Sequence, residues 1–321
     1  MALNLFTVGL NLLKKSSLSQ GKRHFSSIGF VGLGNMGNYM ANNLIKKGHK
    51  IVVYDVNRSA LTNLVEAGAK EASSAAELSK NSQMVITMLP TNDHVWESYT
   101  GNDGLLSTAE KNTLFVDSST IDPSVSQKVH QEATKKGAKF IDGPVSGGVV
   151  GARDGTLTFM VGGEKEQYDR AKPILEAMGT RIVHCGDVGM GQVAKLCNNM
   201  LLAISMIGVS EVVNLADRLG LDPKVMTSIL NTSTGRCWSS EVYPPVPGII
   251  DTVPSSNNYE GGFLTHLMTK DLGLAQAAAT RSSTPIPLGS LAHQVYRMLM
   301  THGHANRDFS IIYQYLKNCK V

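Results

Sequence analysis

The sequence predicts an α/β chain, with a doubly wound parallel-sheet domain first and an all-helical domain after it. Three observations carry this. Between residue 28 and about residue 187, short β-branched runs alternate with amphipathic helical stretches, the pattern of a parallel sheet covered by helices on both faces. Beyond that point the strand-like runs stop and helical periods take over to the C-terminus. The length of 321 residues suits about two domains, and 42% hydrophobic against 17% charged residues gives each a core to bury.

The first segment is an address rather than a folded element. No Asp or Glu occurs before Asp55, while residues 1–27 carry Lys14, Lys15, Lys22 and Arg23, several serines, and Leu3, Phe6, Leu10 and Leu13 at helical spacing. An acid-free, cationic, amphipathic helix is what a mitochondrial transit peptide requires, so residues 1–25 are expected to be cleaved near Arg23-His24-Phe25 in the matrix. The formal net charge of +4 equals those four cations. The rest of the chain is near neutral, and no Lys/Arg cluster in it argues for a nucleic-acid partner. The longest apolar stretch, residues 196–210, is shorter than the roughly 20 residues that span a bilayer, so no membrane partner is expected either. Cys185, Cys197, Cys237 and Cys319 show no C-x-x-C or zinc spacing, no metal site is expected, and the apolar neighbours of Cys185 and Cys197 predict small buried residues.

Residues 26–187 form the first domain, with strands expected at 28–31, 50–54, 84–87, 114–116 and 139–141. Gly48 and Gly137 stand where helices should stop, and Asp122-Pro123 supplies an N-cap and a first-turn proline. Immediately after the first strand comes Gly32-Leu33-Gly34-Asn35-Met36-Gly37, a G-x-G-x-x-G at the head of a helix. Gly32 permits a tight turn, Gly34 a close backbone approach to a pyrophosphate, and Gly37 close packing of helix on strand, with the free N–H groups of the helix start facing the phosphate. The second strand ends at Asp55, where a carboxylate can accept the adenosine ribose hydroxyls and repel a 2'-phosphate. A Rossmann-type domain that prefers NAD to NADP is the expectation; Arg58 and Ser59, close behind, leave a phosphate-binding alternative open.

Residues 188–321 form the helical domain. Leu196, Met200, Ala203, Ile204 and Ile207 mark one face of a long helix whose other faces carry Leu201, Leu202 and Met206, so it is expected to be buried, between domains or between subunits of a homodimer or homotetramer. Asp222-Pro223 and Asp308 start further helices, and the irregular aromatic and proline-rich stretch 234–263 is long enough to suggest a functional loop.

Two clusters carry chemistry. Asp142-Gly143-Pro144-Val145-Ser146-Gly147-Gly148 offers backbone N–H groups and a hydroxyl in a flexible turn, suited to an anionic oxygen. Gly189 to Asn199 opens the long helix and puts Lys195 and Asn199 one turn apart on one face, where burial and the positive end of the helix dipole would both lower the lysine pKa.

With these residues the chain resembles the β-hydroxyacid dehydrogenase family from residue 28 to the C-terminus. The resemblance rests on the residue 29–37 glycine turn, Asp117-Ser118-Ser119-Thr120, Ser146-Gly147-Gly148, Lys195 to Asn199, and Lys270-Asp271-Leu272. Gly235-Arg236-Cys237-Trp238-Ser239-Ser240, Pro245-Val246-Pro247-Gly248 and Asn257-Asn258-Tyr259 are similar to its 3-hydroxyisobutyrate branch rather than its tartronate semialdehyde or decarboxylating branches. The resemblance implies that Lys195 is catalytic, that Ser146, Gly147, Gly148 and Asn199 hold the substrate, and that Leu89, Pro90, Thr120 and Lys270 touch the cofactor alongside Gly32, Gly34, Asn35, Met36, Gly37 and Asp55. Where relatives often have asparagine as a further cofactor contact, this chain has His94, which can still donate one hydrogen bond or can be a surface histidine. Trp238 is either a wall of the pocket for the substrate methyl group or a core aromatic. The expected activity is NAD-dependent oxidation of a small-molecule substrate, 3-hydroxyisobutyrate, to methylmalonate semialdehyde in valine breakdown. A reductase of tartronate semialdehyde or another short 3-hydroxy acid, and a non-catalytic dinucleotide-binding protein, are the alternatives.

Overall fold

The computed structural model describes residues 27–319, so the expected transit peptide of residues 1–25 lies outside the described part. The chain opens with β1 (Ile28–Val31), α1 (Gly37–Lys46), β2 (Ile51–Tyr54), α2 (Thr62–Glu66), β3 (Lys70–Glu71), α3 (Ala75–Lys80), β4 (Met84–Thr87), α4 (Asn92–Thr100), β5 (Leu114–Asp117), α5 (Pro123–Lys135) and β6 (Lys139–Asp142). Strands β3-β2-β1-β4-β5-β6 lie side by side in that order, all parallel. This is the doubly wound order, and its direction reverses between β1 and β4, where ligands of such sheets bind. Local chemistry explains the element ends: Asp122 accepts the Ser124 N–H with Pro123 in the first turn of α5, and Gly48 and Gly137 follow their helices at φ +83° and +73°. Two apolar layers flank the sheet, one around Phe30, Met40, Leu44 and Phe159, the other around Leu78, Tyr99, Phe115 and Phe140.

Beyond β6 the alternation is broken by β7 (Val145–Ser146), α6 (Gly148–Asp154), β8 (Leu157–Gly162), α7 (Lys165–Leu175) and β9 (Gly179–Gly186). Strand β8 runs antiparallel to β6 and β7, with β9 parallel beside it. The five expected strands are present, and β3, β7, β8 and β9 are additions to them. Two of these are only two residues long, and β8 and β9 belong to an edge that departs from the strand-helix-strand rhythm by which the others are read.

The helical part comprises α8 (Met190–Arg218), α9 (Pro223–Thr232), α10 (Trp238–Glu241), α11 (Thr265–Arg281), α12 (Pro287–Thr301) and α13 (Ile312–Asn318). Its core joins Ala203 and Met206 of α8 to Met268, Leu272, Tyr296, Phe309 and Ile312. The structure corrects the expectation that Cys185 and Cys197 are buried, and it extends the reading of the long helix. Helix α8 has 29 residues, and by length and composition it is long enough to cross a bilayer, beyond the shorter apolar run the sequence displays. It is not buried all round within the chain, because its neighbours wrap one side and leave Leu201 63% and Leu215 59% exposed. Cys197 shares that open side and is exposed, while Cys185 is half-buried. Residues 234–263 are pinned in place: the Ser255 hydroxyl donates to the Pro244 carbonyl at 2.7 Å and the Tyr259 hydroxyl to that of Pro245 at 2.9 Å.

Candidate active site

The glycine turn follows β1 directly, and each glycine has a distinct steric reason. Gly32 has φ +90°, and a Cβ there would lie 2.3 Å from the Met88 carbonyl oxygen. At Gly37 a Cβ would lie 1.9 Å from the Gly32 carbonyl oxygen, so only glycine lets α1 close onto the turn. Gly34 has nothing within 4 Å of that position, and it is exposed together with Asn35. The chain itself therefore does not need glycine there, and the open space leaves room for a ligand to approach the backbone. No side chain caps the start of α1 at Met36; the Asn38 N–H donates to the Gly34 carbonyl at 3.1 Å, and an anion would be met by the N–H groups before it.

Asp55 stands just past β2 with its carboxylate held by two backbone donors, the Leu33 N–H at 2.6 Å and the Asn57 N–H at 2.7 Å. Arg58 is paired with Glu71, and Ser59 bonds Asn57. After β4, the Leu89 N–H donates to the Ser119 hydroxyl at 2.8 Å, and Pro90 is exposed beside it. His94 is exposed in the first turn of α4, its Nδ1 2.8 Å from the Thr91 hydroxyl. Behind these loops Asp117 is fully buried, its Oδ1 accepting the hydroxyls of Thr87 at 2.7 Å and Ser119 at 2.6 Å. Burial outweighs these bonds and pushes its carboxyl up to about 6.

Facing the loops, Lys195 is 7% exposed on α8, and its Nζ makes no hydrogen bond or ion pair among the described residues. Burial pulls its pKa down, the Asp271 charge works in the opposite direction, and Lys270 adds to the lowering. Asn199, one turn on, donates Nδ2 to Asp271 Oδ2 at 2.6 Å. The Lys270 ammonium reaches Asp271 Oδ1 at 3.3 Å and donates to the Thr120 carbonyl at 2.8 Å, which ties α11 to the loop after β5. The structure thus joins Asn199, Lys270 and Thr120, with Lys195 in the field of the same carboxylate.

Gly147 and Gly148 have φ +134° and +62° and are exposed at the turn from β7 into α6, with Ser146 half-buried before them. The turn is held from two sides: Asn43 of α1 donates to the Ala152 carbonyl of α6 at 2.7 Å, and Asp142 accepts the Gly189 N–H at 2.6 Å and the Gln192 N–H at 2.9 Å. Burial pushes the Asp142 carboxyl up to about 7 in spite of those donors. The Trp238 ring stacks on Tyr243 at 4.8 Å, Tyr243 stacks on Phe309 at 5.9 Å, and Trp238 stays 46% exposed.

The sequence names Asp117 and Asp271 only as members of motifs, and assigns neither them nor Gln192 a role. Asp271 shows in the sequence only as the neighbour of Lys270, and the burial that gives the other two their importance is set by contacts 30 or more residues away.

A parallel sheet with a pyrophosphate-shaped first turn at its switch point, facing a buried lysine, defines a nicotinamide-dinucleotide oxidoreductase of two domains. Residues 27–186 match the family described as the NAD binding domain of 6-phosphogluconate dehydrogenase, and residues 189–316 that described as NAD-binding of NADP-dependent 3-hydroxyisobutyrate dehydrogenase. The mitochondrial 3-hydroxyisobutyrate dehydrogenase of Mus musculus is 56% identical over 290 residues, 90% of this chain and 87% of its own. The Mycobacterium tuberculosis 3-hydroxyisobutyrate dehydrogenase solved with L-serine superposes with a TM-score of 0.87 at 41% identity, covering 92% of this chain and all (100%) of that one. Psf3 in complex with NADP+ and 2-OPP gives 0.76 at 26% identity over 90% of this chain and 99% of that one. The chain belongs to the 3-hydroxyisobutyrate dehydrogenase family.

Proposed function

We propose that the chain oxidises 3-hydroxyisobutyrate to methylmalonate semialdehyde, using NAD as oxidant and Lys195 as the group that takes the hydroxyl proton. The observation that carries this is the state of Lys195: buried, free of any hydrogen bond among the described residues, with its pKa lowered by that burial. A lysine so placed can be neutral when substrate arrives and cationic when product leaves. NAD, when bound, supplies the acceptor for the hydrogen and electron pair that leave carbon 3. Lys195 Nζ accepts the proton of the C3 hydroxyl in oxidation and returns it in reduction. The Asp271 carboxylate favours the resulting ammonium, and it orients Asn199, whose second amide hydrogen remains for a substrate oxygen. Backbone N–H groups of the Ser146–Gly148 turn receive the substrate carboxylate and so select which hydrogen faces the cofactor.

Asp55 supports NAD over NADP, since its two backbone donors fix a negative charge beside the glycine turn and Arg58 is engaged by Glu71. Gly32, Gly34, Asn35, Met36 and Gly37 would hold the pyrophosphate, and Leu89, Pro90, Thr120, Lys270 and His94 would border the rest of the cofactor. The acid-free leader of residues 1–25, and the mitochondrial relative, support import into the matrix, with residues 26–187 and 188–321 as the two working domains. The open apolar side of α8, with Leu201, Val212 and Leu215, supports assembly into a homodimer or homotetramer.

The test is a spectrophotometric panel of short hydroxy acids, run first with NAD and then with NADP. 3-Hydroxyisobutyrate with NAD should give the highest kcat/KM. The panel includes L-serine, the 3-hydroxy acid bound by the mycobacterial relative; a higher value for it would replace the proposed substrate, and no turnover with any member would remove the enzymatic reading.

A further inference from the structure

The first turn of α8 is the place where the loops after β5 and β6 meet the lysine-bearing helix. Gln192 is 0% exposed there, and both ends of its amide are used on main chain across the domain boundary. Its Nε2 donates to the Ser119 carbonyl at 2.8 Å, and its Oε1 accepts the Ile121 N–H at 3.1 Å. The Gln192 N–H itself donates to Asp142 Oδ2 at 2.9 Å, while Asp142 Oδ1 takes the Gly189 N–H at 2.6 Å. Bonds to main chain on both sides specify where the helix start sits, not merely what lies beside it.

Two glycines allow this approach. A Cβ on Gly191 would lie 2.2 Å from the Met160 carbonyl oxygen and 2.7 Å from Asp142 Oδ2, and one on Gly162 would lie 2.6 Å from Asp142 Oδ1 and 2.8 Å from the Gly191 nitrogen. The helix therefore rests directly on the sheet, keyed at Asp142. That residue also begins the segment leading to Ser146–Gly148, and Ser119 and Ile121 flank Thr120, whose carbonyl holds Lys270. Lys195 lies three residues beyond Gln192, on the same face of the helix.

We propose that Gln192 and Asp142 are positioning residues for proton transfer: together they fix the height and rotation of α8, and hence Lys195, over the loops that receive cofactor and substrate. This rests on Lys195 being the proton acceptor. An error of about 1 Å in such a placement costs on the order of 100-fold in rate, so the effect is large enough to separate from simple loss of folded protein.

Gln192→Glu is nearly isosteric and tests the joint through its charge. The introduced carboxyl can still accept the Ile121 N–H, but when ionised it opposes the Ser119 carbonyl, and when protonated it can donate to it again. Asp142→Asn is the second variant, since an amide offers one acceptor oxygen where the turn has two donors. Three quantities are measured per mole of folded enzyme: kcat and KM with 3-hydroxyisobutyrate, the effect of deuterium at carbon 3 on kcat, and the pH midpoint of acetic anhydride labelling of Lys195 in cofactor-free protein. For Gln192→Glu at neutral pH, kcat should fall about 100-fold with KM for NAD little changed. The deuterium effect should grow, the labelling midpoint should rise toward that of an ordinary lysine, and aldehyde reduction should recover as pH is lowered. Asp142→Asn should show the same changes without the recovery. Either folded variant keeping the wild-type kcat, deuterium effect and labelling midpoint would overturn the inference, as would a loss of activity explained wholly by a smaller folded fraction. A wild type whose Lys195 labels at an ordinary lysine midpoint, or whose Lys195→Arg form stays active, would instead bring down the reading of Lys195 and this inference with it.

Discussion

The glycine turn after β1 and the lysine cluster on α8 differ in what makes them sites. At the turn, the proposed recognition is backbone geometry: Gly34 leaves an open space, Gly37 admits a carbonyl oxygen, and the one carboxylate, Asp55, is oriented by one main-chain donor on each oxygen, with acceptor sites left over for a ligand. At Lys195, by contrast, the feature is a buried titratable group, an amine without a hydrogen bond among the described residues near a carboxylate shared between Asn199 and Lys270. On the proposed reading, the first region binds without changing protonation state, whereas the second changes protonation state in each turnover. A substitution at the turn should therefore act on affinity, and one at the cluster on rate and pH dependence.

The largest expected effect is at Lys195. Lys195→Arg keeps a cation of similar reach, but arginine does not release its proton at working pH. Its kcat should fall by about 100 to 10,000-fold, NAD affinity should stay nearly constant, and the limb of kcat that rises as one group deprotonates in the oxidation direction should vanish. Steady-state kinetics across pH would show this, and an arginine variant with the same limb would move proton transfer elsewhere.

Next comes Asp117, which sits behind the cofactor loops and sharpens the contrast through stability instead of rate. The folded carboxyl titrates at about 6 against an ordinary 3.8, so the folded state binds more protons in that window and wild-type stability falls as pH rises through it. In Asp117→Asn the carbonyl oxygen can take over the three bonds at Oδ1, and the amide nitrogen replaces Oδ2, which has no partner among the described residues. Urea unfolding should find the two proteins alike near pH 4 and the variant more stable by about 2–3 kcal/mol above pH 6. A difference independent of pH would mean that Asp117 titrates alike in the folded and unfolded chain, so that burial does not raise its pKa.

A smaller pair of effects separates affinity from folding within the glycine turn itself. Gly37→Ala should lose about 1–3 kcal/mol of stability together with NAD affinity, because the new methyl meets the Gly32 carbonyl. Gly34→Ala should weaken NAD binding in calorimetry while leaving the Tm where it was, since nothing in the chain lies within 4 Å of the added carbon. An equal drop in Tm for both would mean that Gly34 serves the fold. The smallest change is expected for Asp55→Ala: a loss of NAD affinity of about 10-fold, the scale of one hydrogen bond to a charged group, and a shift of the kcat/KM ratio toward NADP. A ratio that does not move would place Asp55 away from the ribose.

The same contrast explains what could be read from the sequence. Backbone-built features leave local marks, so the G-x-G-x-x-G spacing, the Asp122-Pro123 helix start and the core strands β1, β2, β4, β5 and β6 were legible from residues next to one another. Lys195 and Asn199 were legible as a pair because both ride on one helix. Asp271 was not, because its bond to Asn199 spans 72 residues, and neither was the key at Gln192, whose partners lie 71 and 73 residues back. The exposure of Leu201 and Cys197 escaped for a related reason: an apolar helix announces that it will be covered without saying whether its own chain does the covering.

Helix α8 also bears on how this protein can change in length over generations. Its 29 residues form a rod of about 44 Å that carries the Asp142 key at one end, Lys195 and Asn199 a turn later, and the packing face of Ala203, Met206 and Val213 beyond. Inserting or deleting a single residue within it would turn everything downstream by about 100°, swinging core residues to the open side. Such a change between Lys195 and Asn199 would also part the lysine from its asparagine. Viable length variants should therefore be absent from residues 190–218 and should gather instead in exposed surface turns, where no helical phase has to be kept.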